Sequence, residues 1–241
     1  MKVFIAGASG AIGKRLVPLL VRAGHAVVGM TRTPGKVTAI RAAGAQAAVV
    51  DALDTAAVIA ALQDAKPEVV VHELTAIPQR LNIRDFDGEF ASTNRLRTEG
   101  TDNLLMGAQK AGVRRFVAQS YAAWPYAREG GPVKTEIDPL DPDPPAGLRE
   151  TLKAIRHLES RVLAAQGMDG VVLRYGAFYG PGTSIGEGGS FLEEVRRRRF
   201  PVVGGGSGVW SFLHIEDAAG ATLSAIERGR PGVYNIVDDD P

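Results

Sequence analysis

The chain has 241 residues, 45% of them apolar and 23% charged, with a net charge of +1. That composition suits a globular α/β domain, alone or with a small appendage, and its near-neutral balance offers no global field for nucleic acid or an anionic membrane. The absence of cysteine excludes disulfides, thiolate metal sites and a cysteine nucleophile; with no apolar run near the roughly 18 residues of a membrane span and no signal segment ahead of the first strand, a cytoplasmic protein is expected.

Val3, Phe4, Ile5 and Ala6 form an unbroken apolar run, as suits a strand buried on both faces of a parallel sheet. Gly7, Gly10 and Gly13 follow three apart, and Ile12, Leu16, Val17, Leu19 and Leu20 fall at helical spacing, so this loop closes a strand and opens a helix. Glycine here turns sharply, admits a pyrophosphate against bare backbone and lets helix and strand approach, while N–H groups and the helix dipole face the anion. A dinucleotide is the expected ligand, cradled by Gly7, Ser9, Gly10, Ile12 and Gly13. His25–Met30 is a second strand, and the residue closing such a strand meets the adenosine ribose. No acid stands within Met30–Lys36, so Arg32, helped by Lys36, suits the 2′-phosphate of NADP better than the free ribose of NAD. The competing reading makes both solvated loop cations.

A short helix over 37–43 ends at Gly44, and Ala45–Val50 is a third strand that runs into Asp51, Leu53 and Asp54, the last placed to cap the next helix. Glu68–His72 is strand four. His72 reads as a packed strand residue, since no carboxylate or second histidine sits at ligand spacing, and no metal site is expected. Ile77–Phe90 is polar and irregular, with Arg80, Arg84, Asp85 and Asp87, and reads as a loop over the site. A long helix follows over 91–105, then strand five at Arg114–Ala118. Strands alternating with helices imply a Rossmann-type, doubly wound parallel sheet with ligands at the strands' C-terminal ends.

The Gly7-x-x-Gly10-x-x-Gly13 spacing resembles the short-chain dehydrogenase/reductase superfamily, in particular its extended branch of epimerases and dehydratases. The resemblance continues along the chain. Asp51-x-Leu53 is similar to that branch's adenine contact, and Leu74-Thr75 lie where its backbone follows the cofactor ribose. Asn94 to Leu105 resembles its N-x-x-G-T-x-N-L-L segment, with the spacing from Asn94 to Gly100 lengthened, which implies that Asn94 reaches the cofactor. Arg174-Tyr175-Gly-Ala177-Phe-Tyr179-Gly-Pro181-Gly182 resembles L-R-x-x-N-x-Y-G-P-G, with alanine for the asparagine, and implies a loop at the nicotinamide amide that begins the substrate lobe. The stretch from Pro201 to Ala219 resembles G-x-x-x-R-x-F-V-H-V-x-D-V-A. Trp210 stands where an arginine contacts substrate phosphate, which weighs against a sugar nucleotide. Asp217 is expected to cap the following helix, and His214 is either structural or substrate-facing. Arg196–Arg199 reads as a solvated helix face rather than a pyrophosphate grip. The resemblance implies a Rossmann domain over 1–175 and a substrate lobe over 176–241, from which about 211–237 returns to the core; family members continue past such a last strand, so a longer native chain is expected.

The same resemblance implies a Ser or Thr after strand five and a Tyr-x-x-x-Lys, in which the tyrosine moves a proton and the lysine lowers its pKa and holds the nicotinamide ribose. The chain has five tyrosines and none is followed by lysine four residues later. The expected helix is present around Leu148–Glu159. Anchored on Glu159, where the family places a glutamate, it carries Thr151 and Ile155 at the tyrosine and lysine positions; anchored on Lys153, it carries Arg149 at the tyrosine position. Near that place stand Ser120, Tyr121, Trp124 and Tyr126. Tyr121 aligns with the Ser/Thr position and is the expected acid, assisted by Ser120; equally, Tyr121, Trp124 and Tyr126 form an aromatic wall for an apolar ligand. Tyr126, Arg174, Tyr179, Trp210 and His214 are the expected substrate contacts. The expectation is an NAD(P)-dependent enzyme that transfers hydride on a carbonyl or sugar-like small molecule, paired as a homodimer through the helix after strand four and that around Leu152. The alternative is a catalytically silent NAD(P) sensor.

Overall fold

Short apolar runs become strands of one parallel sheet, and the amphipathic segments between them become crossover helices on both of its faces. In a computed structural model, which describes residues 1–78, 82, 85–200, 202 and 204–240, the elements alternate from the start. They begin β1 (Lys2–Ala6), α1 (Gly13–Arg22), β2 (Ala26–Thr31), α2 (Val37–Ala42), β3 (Gln46–Val49), α3 (Thr55–Ala65) and β4 (Val69–His72). They continue with α4 (Phe86–Arg95), α5 (Thr101–Ala111), β5 (Arg115–Tyr121), α6 (Arg149–Leu163), β6 (Asp169–Tyr175) and β7 (Ala177–Tyr179). The last are α7 (Ser190–Arg196), β8 (Phe212–His214), α8 (Ile215–Arg228) and β9 (Gly232–Ile236). Among the described residues seven strands pair in parallel in the order β3-β2-β1-β4-β5-β6-β9. The order reverses between β1 and β4, and the connections that follow these two strands leave toward opposite faces of the sheet, which opens the crevice where such sheets bind ligands.

Period-two alternation divides the core between the two faces. Val3 and Ile5 join Leu16, Leu20, Val71 and Ile226 under α1 and α8. Phe4 and Ala6 join Leu62, Val70, Leu104, Phe116 and Leu158 under α3, α5 and α6. Asp54 caps α3 as its position predicts, accepting from Ala57 N–H at 3.0 Å.

Three expectations change. The helix after β4 begins at Phe86 rather than Ala91, because Asp85 caps it by accepting from Gly88 N–H at 3.2 Å; the end of the expected loop is helix, and Arg80 and Arg84 lie outside the described residues. That helix is also interrupted, with a π-helical turn over Leu96–Gly100 joining α4 to α5. Finally, His214 rather than Asp217 caps α8: its Nδ1 accepts from Glu216 N–H, which leaves Asp217 in the first turn, where its charge favours the helix dipole.

β7 and β8 form a separate two-stranded parallel pair beside the main sheet. Arg15 of α1 ties this region to the glycine loop, donating to Glu216 of α8 at 2.8 Å and to the Pro181 carbonyl. No helix among the described residues is long and apolar enough to cross a membrane.

Candidate active site

The loop between β1 and α1 is shaped by contacts that leave no room for side chains. Gly7 has φ +102°, and a Cβ there would lie 2.8 Å from the Glu73 carbonyl carbon; at Gly13 it would lie 2.6 Å from the Ala8 carbonyl carbon. A Cβ at Gly10 would meet only the Gly7 carbonyl oxygen, at 3.1 Å, and the residue is exposed. Ile12, at the N-cap of α1, provides no capping side chain, and the first turn carries no acid. The loop therefore presents bare backbone donors and the positive end of a ten-residue helix to solvent. These residues fit a dinucleotide pyrophosphate.

The ends of β2 and β3 lie beside this cradle. Ser9 Oγ and Thr31 Oγ1 are 3.2 Å apart, and Thr31 Oγ1 also accepts from Thr33 N–H, which fixes the turn that carries Arg32. Arg32 is exposed and has no ion-pair partner among the described residues. Asp51 is exposed and accepts from Leu53 N–H at 3.0 Å. Asn103 secures the same turn, donating to the Ala52 carbonyl at 2.9 Å.

At the end of β4, His72 is structural. It is buried, its Nδ1 accepts from Leu74 N–H at 3.2 Å, and its Nε2–H points at the Leu96 carbonyl and Thr101 Oγ1. Burial pushes its pKa down to about 4, so the ring stays neutral. Leu74 is half-buried and Thr75 exposed at the strand exit. Between them and His72, Glu73 is buried directly beneath Gly7, and neither carboxyl oxygen has a hydrogen-bond partner of normal geometry. Burial raises its pKa to about 8, with the nearby Tyr175 hydroxyl drawing it the other way. Glu73 is a polar residue at a strand exit, and no motif in the sequence marks it.

The helix expected to carry the catalytic pair is α6, and Glu159 lies on its buried face. Glu159 forms a two-point ion pair with Arg174 (2.8 and 2.6 Å) and accepts from Ser120 Oγ at 2.6 Å. Lys153 is exposed. Glu159 is therefore the inward anchor, and Thr151 and Ile155, both 1% exposed, occupy the face one and two turns before it. Arg174 also donates to Tyr126 Oη at 3.0 Å, and Tyr126 donates to Asn235. Ser120, Tyr126 and Arg174, expected beside the substrate, thus spend their polar atoms on one another and on Glu159. A buried charge must be paired and hydrogen-bonded in this way, so they build the floor of the site rather than its lining.

Tyr121 goes elsewhere. Its ring meets Trp124 edge-on at 6.4 Å; Trp124 meets Phe86 at 5.6 Å, and Phe86 stacks on Phe90 at 4.4 Å. Burial pushes the Tyr121 phenol up to about 12, and the Arg97 charge opposes that rise. Arg97 was not singled out from the sequence. Counted back from Gly100, the N-x-x-G spacing falls on Arg97, not on Asn94, and that count was the signal. Asn94 donates instead to Thr151 Oγ1 at 3.0 Å, and Thr151 donates to Asp87 at 2.7 Å.

Beyond β6, Tyr179 packs edge-on against His214 at 5.1 Å and hydrogen-bonds Asp238, which raises its phenol pKa. Trp210 is 55% exposed. The Arg196–Arg199 run is exposed, with Arg196 and Arg197 both pairing with Glu193.

A parallel seven-stranded sheet with a bare glycine loop at its switch point defines a dinucleotide-binding protein of the short-chain dehydrogenase/reductase type. The chain belongs to the NAD dependent epimerase/dehydratase family, whose model matches residues 3–237, and it is an NAD-dependent enzyme. It is 45% identical over 243 residues to a Streptomyces 3-diazoavenalumate denitrifying reductase, covering 100% of this chain and 77% of that one. It is 31% identical over 252 residues to the 4-hydroxy-2-methyl-3-oxo-4-farnesyl-3,4-dihydroquinoline-1-oxide ketoreductase of Stigmatella aurantiaca, covering 100% and 69%. Among solved structures it resembles the Thermus thermophilus UDP-glucose 4-epimerase complex with NAD, at 25% identity and a TM-score of 0.74, covering 100% of this chain and 78% of that one.

Proposed function

We propose that the protein is a one-way NAD(P)H-dependent reductase of a small, flat carbonyl or similarly electrophilic substrate, not a sugar-nucleotide epimerase. One observation carries this reading: the buried face of α6 offers Thr151 and Ile155 where a tyrosine and lysine would stand, while the phenol sits on β5 as Tyr121. An epimerase must remove a proton and hydride and return both, which needs a phenolate poised near neutrality. A reductase needs only a donor that stays protonated until the substrate oxygen becomes basic, and a phenol with its pKa near 12 is such a donor. Two relatives matched along the whole of this chain, 45% and 31% identical to it and both named as reductases, support the same direction.

When bound, the reduced nicotinamide supplies the hydride. Gly7, Ser9, Gly10, Ile12 and Gly13 hold the pyrophosphate, Asp51 and Leu53 the adenine, and Leu74 and Thr75 the ribose side. Asn94 acts through Thr151. Arg32 takes the 2′-phosphate, which makes NADP(H) the preferred form. Tyr121 Oη donates its proton to the oxygen of the reduced carbonyl and is reprotonated from solvent. Trp124 and Phe86 exclude water and favour a planar substrate. Ser120, Tyr126 and Arg174 hold that end of β5 in place. Tyr179, His214 and Trp210 face the substrate from the segment after β6, and residues 176–211 with α7 form the substrate lobe. Two copies pair through α5 and α6, which sedimentation tests.

The experiment is NADPH consumption with a panel of aromatic ketones, quinones and arenediazonium salts, for wild type and Tyr121→Phe. Wild type should turn over at least one of them, and Tyr121→Phe should lower kcat for the carbonyls by about 10²-fold or more. Unchanged kcat in Tyr121→Phe would refute its role as donor. Cofactor binding with no turnover of any substrate would favour the silent sensor.

A further inference from the structure

A chain of ring contacts along the site ends on a cation. Tyr121 meets Trp124, Trp124 meets Phe86, and Phe86 stacks on Phe90. The Arg97 guanidinium then lies 5.9 Å from the Phe90 ring centroid. All four aromatic residues are half-buried, so each leaves part of its surface uncovered. Arg97 is 7% exposed, and among the described residues no carboxylate pairs with it. The acids along α6 are taken, Glu159 by Arg174 and Asp87 by Thr151 and the N–H groups of residues 150 and 151. Among the described residues Arg97 donates one side-chain hydrogen bond, from Nη1 to Asn94 Oδ1 at 3.4 Å. Its Nε and Nη2 have no partner there, and neither atom is sealed from solvent. That edge presents two parallel N–H groups matched to the two oxygens of a carboxylate. Arg174 uses the same edge in this protein, donating from Nε and Nη2 to Glu159 at 2.8 and 2.6 Å. Arg97 offers it with no acid to fill it. A buried cation without a counter-ion is costly, and a ligand that brings the counter-charge removes that cost.

We propose that Arg97 selects the substrate, holding the carboxylate of a planar aromatic acid whose ring lies against Phe86, Phe90 and Trp124. This rests on the reading of the protein as a reductase of a flat substrate, and it narrows that class to molecules carrying an anion away from the reacting group. The two parts of the site divide the labour. The rings supply contact area that tolerates many substituents. The guanidinium supplies direction, since a two-point ion pair fixes which end of the molecule lies beside Arg97 and leaves the other end for the chemistry. A neutral molecule of the same shape leaves the cation unpaired and loses affinity accordingly. Arg97 stands in a π-helical turn, a feature that recurs at functional sites.

The test needs no turnover. Benzoate, cinnamate and 2-naphthoate are each compared with their primary amides, which keep the ring and shape and lose the charge. Affinities are measured by calorimetry, with and without NADP⁺, for wild type, Arg97→Met and Arg97→Lys, and thermal melts show that each is folded. In wild type at least one acid should bind about tenfold or more tighter than its amide. Arg97→Met should bring that ratio close to one. Arg97→Lys, a point charge without the two-point edge, should lower it severalfold, and it carries the test if Arg97→Met does not fold. Equal affinity for acid and amide in wild type, or no binding of any acid, would overturn the proposal. So would a ratio left unchanged by either substitution. Failure of the reductase reading is a different result, seen as no NADPH consumption with any carbonyl or diazonium compound, and it leaves the acid-to-amide ratio untouched.

Discussion

Glu159 and Arg174 face each other inside the protein, 2.6 and 2.8 Å apart at two points and about equally buried, at 7% and 6% side-chain exposure. Through Ser120, Tyr126 and Asn235 this pair links α6, β5, β6 and β9. Glu159→Gln should leave a buried guanidinium without its counter-charge and destabilise the fold by about 3 to 5 kcal/mol. The double variant Glu159→Leu/Arg174→Met should cost less than the single one, as urea unfolding would show.

Glu73 makes stability depend on pH. Its pKa is about 8 in the fold against an ordinary 4.5, so the folded state retains a proton that the unfolded chain has lost. The associated stability is complete below about pH 4.5 and is lost as pH rises through 8. Glu73→Gln, which keeps the shape without the charge, should flatten the curve over this interval and stabilise the protein at pH 8 by a few kcal/mol, on the order of 3 to 5. Parallel curves for the two proteins would mean that Glu73 is not held protonated.

The glycines of the loop should separate by role. Gly13→Ala places a methyl carbon 2.6 Å from the Ala8 carbonyl carbon and should cost the fold itself. Gly10→Ala brings a methyl carbon 3.1 Å from the Gly7 carbonyl oxygen, a tight contact that a shift of a few tenths of an ångström relieves, and it intrudes where a pyrophosphate approaches. It should melt within a few degrees of wild type while weakening NADPH binding by about tenfold or more. A Gly10→Ala protein that binds cofactor normally would move the pyrophosphate away from this loop.

Arg32 should decide cofactor choice. Arg32→Asp exchanges a partner for the 2′-phosphate for one suited to a free ribose, so the ratio of NADPH to NADH affinity should fall by roughly 10- to 100-fold. An unchanged ratio in calorimetric titration would return Arg32 to the status of a solvated loop cation.

Most of the sheet is legible in the chain because β1, β4, β5 and β6 are apolar runs buried on both faces and punctuated by helices. The glycine loop is legible for the same reason, since each glycine answers a backbone contact. The pairing of β7 with β8 is not, because strands of three residues carry no periodic signal. Nor is the inward turn of Ser120, Tyr126 and Arg174: polar residues near a site read as ligand contacts until the buried carboxylate that collects them is seen in three dimensions. Asp217 reads as a cap by residue type, yet the extended backbone that precedes the helix belongs to His214. Arg97 is hidden because residue type and spacing disagree in this segment: the asparagine is Asn94, while the position three before Gly100 is an arginine.

A one-way reductase consumes its cofactor, whereas an epimerase regenerates it. The most direct measurement is the stoichiometry of NADPH oxidised to product formed, with an aromatic carbonyl or diazonium substrate in one arm and UDP-glucose with catalytic NAD⁺ in the other. One NADPH should be oxidised for each product molecule in the first arm, with no change in the sugar nucleotide in the second. Interconversion of UDP-glucose with its epimer and no net change in cofactor would contradict it.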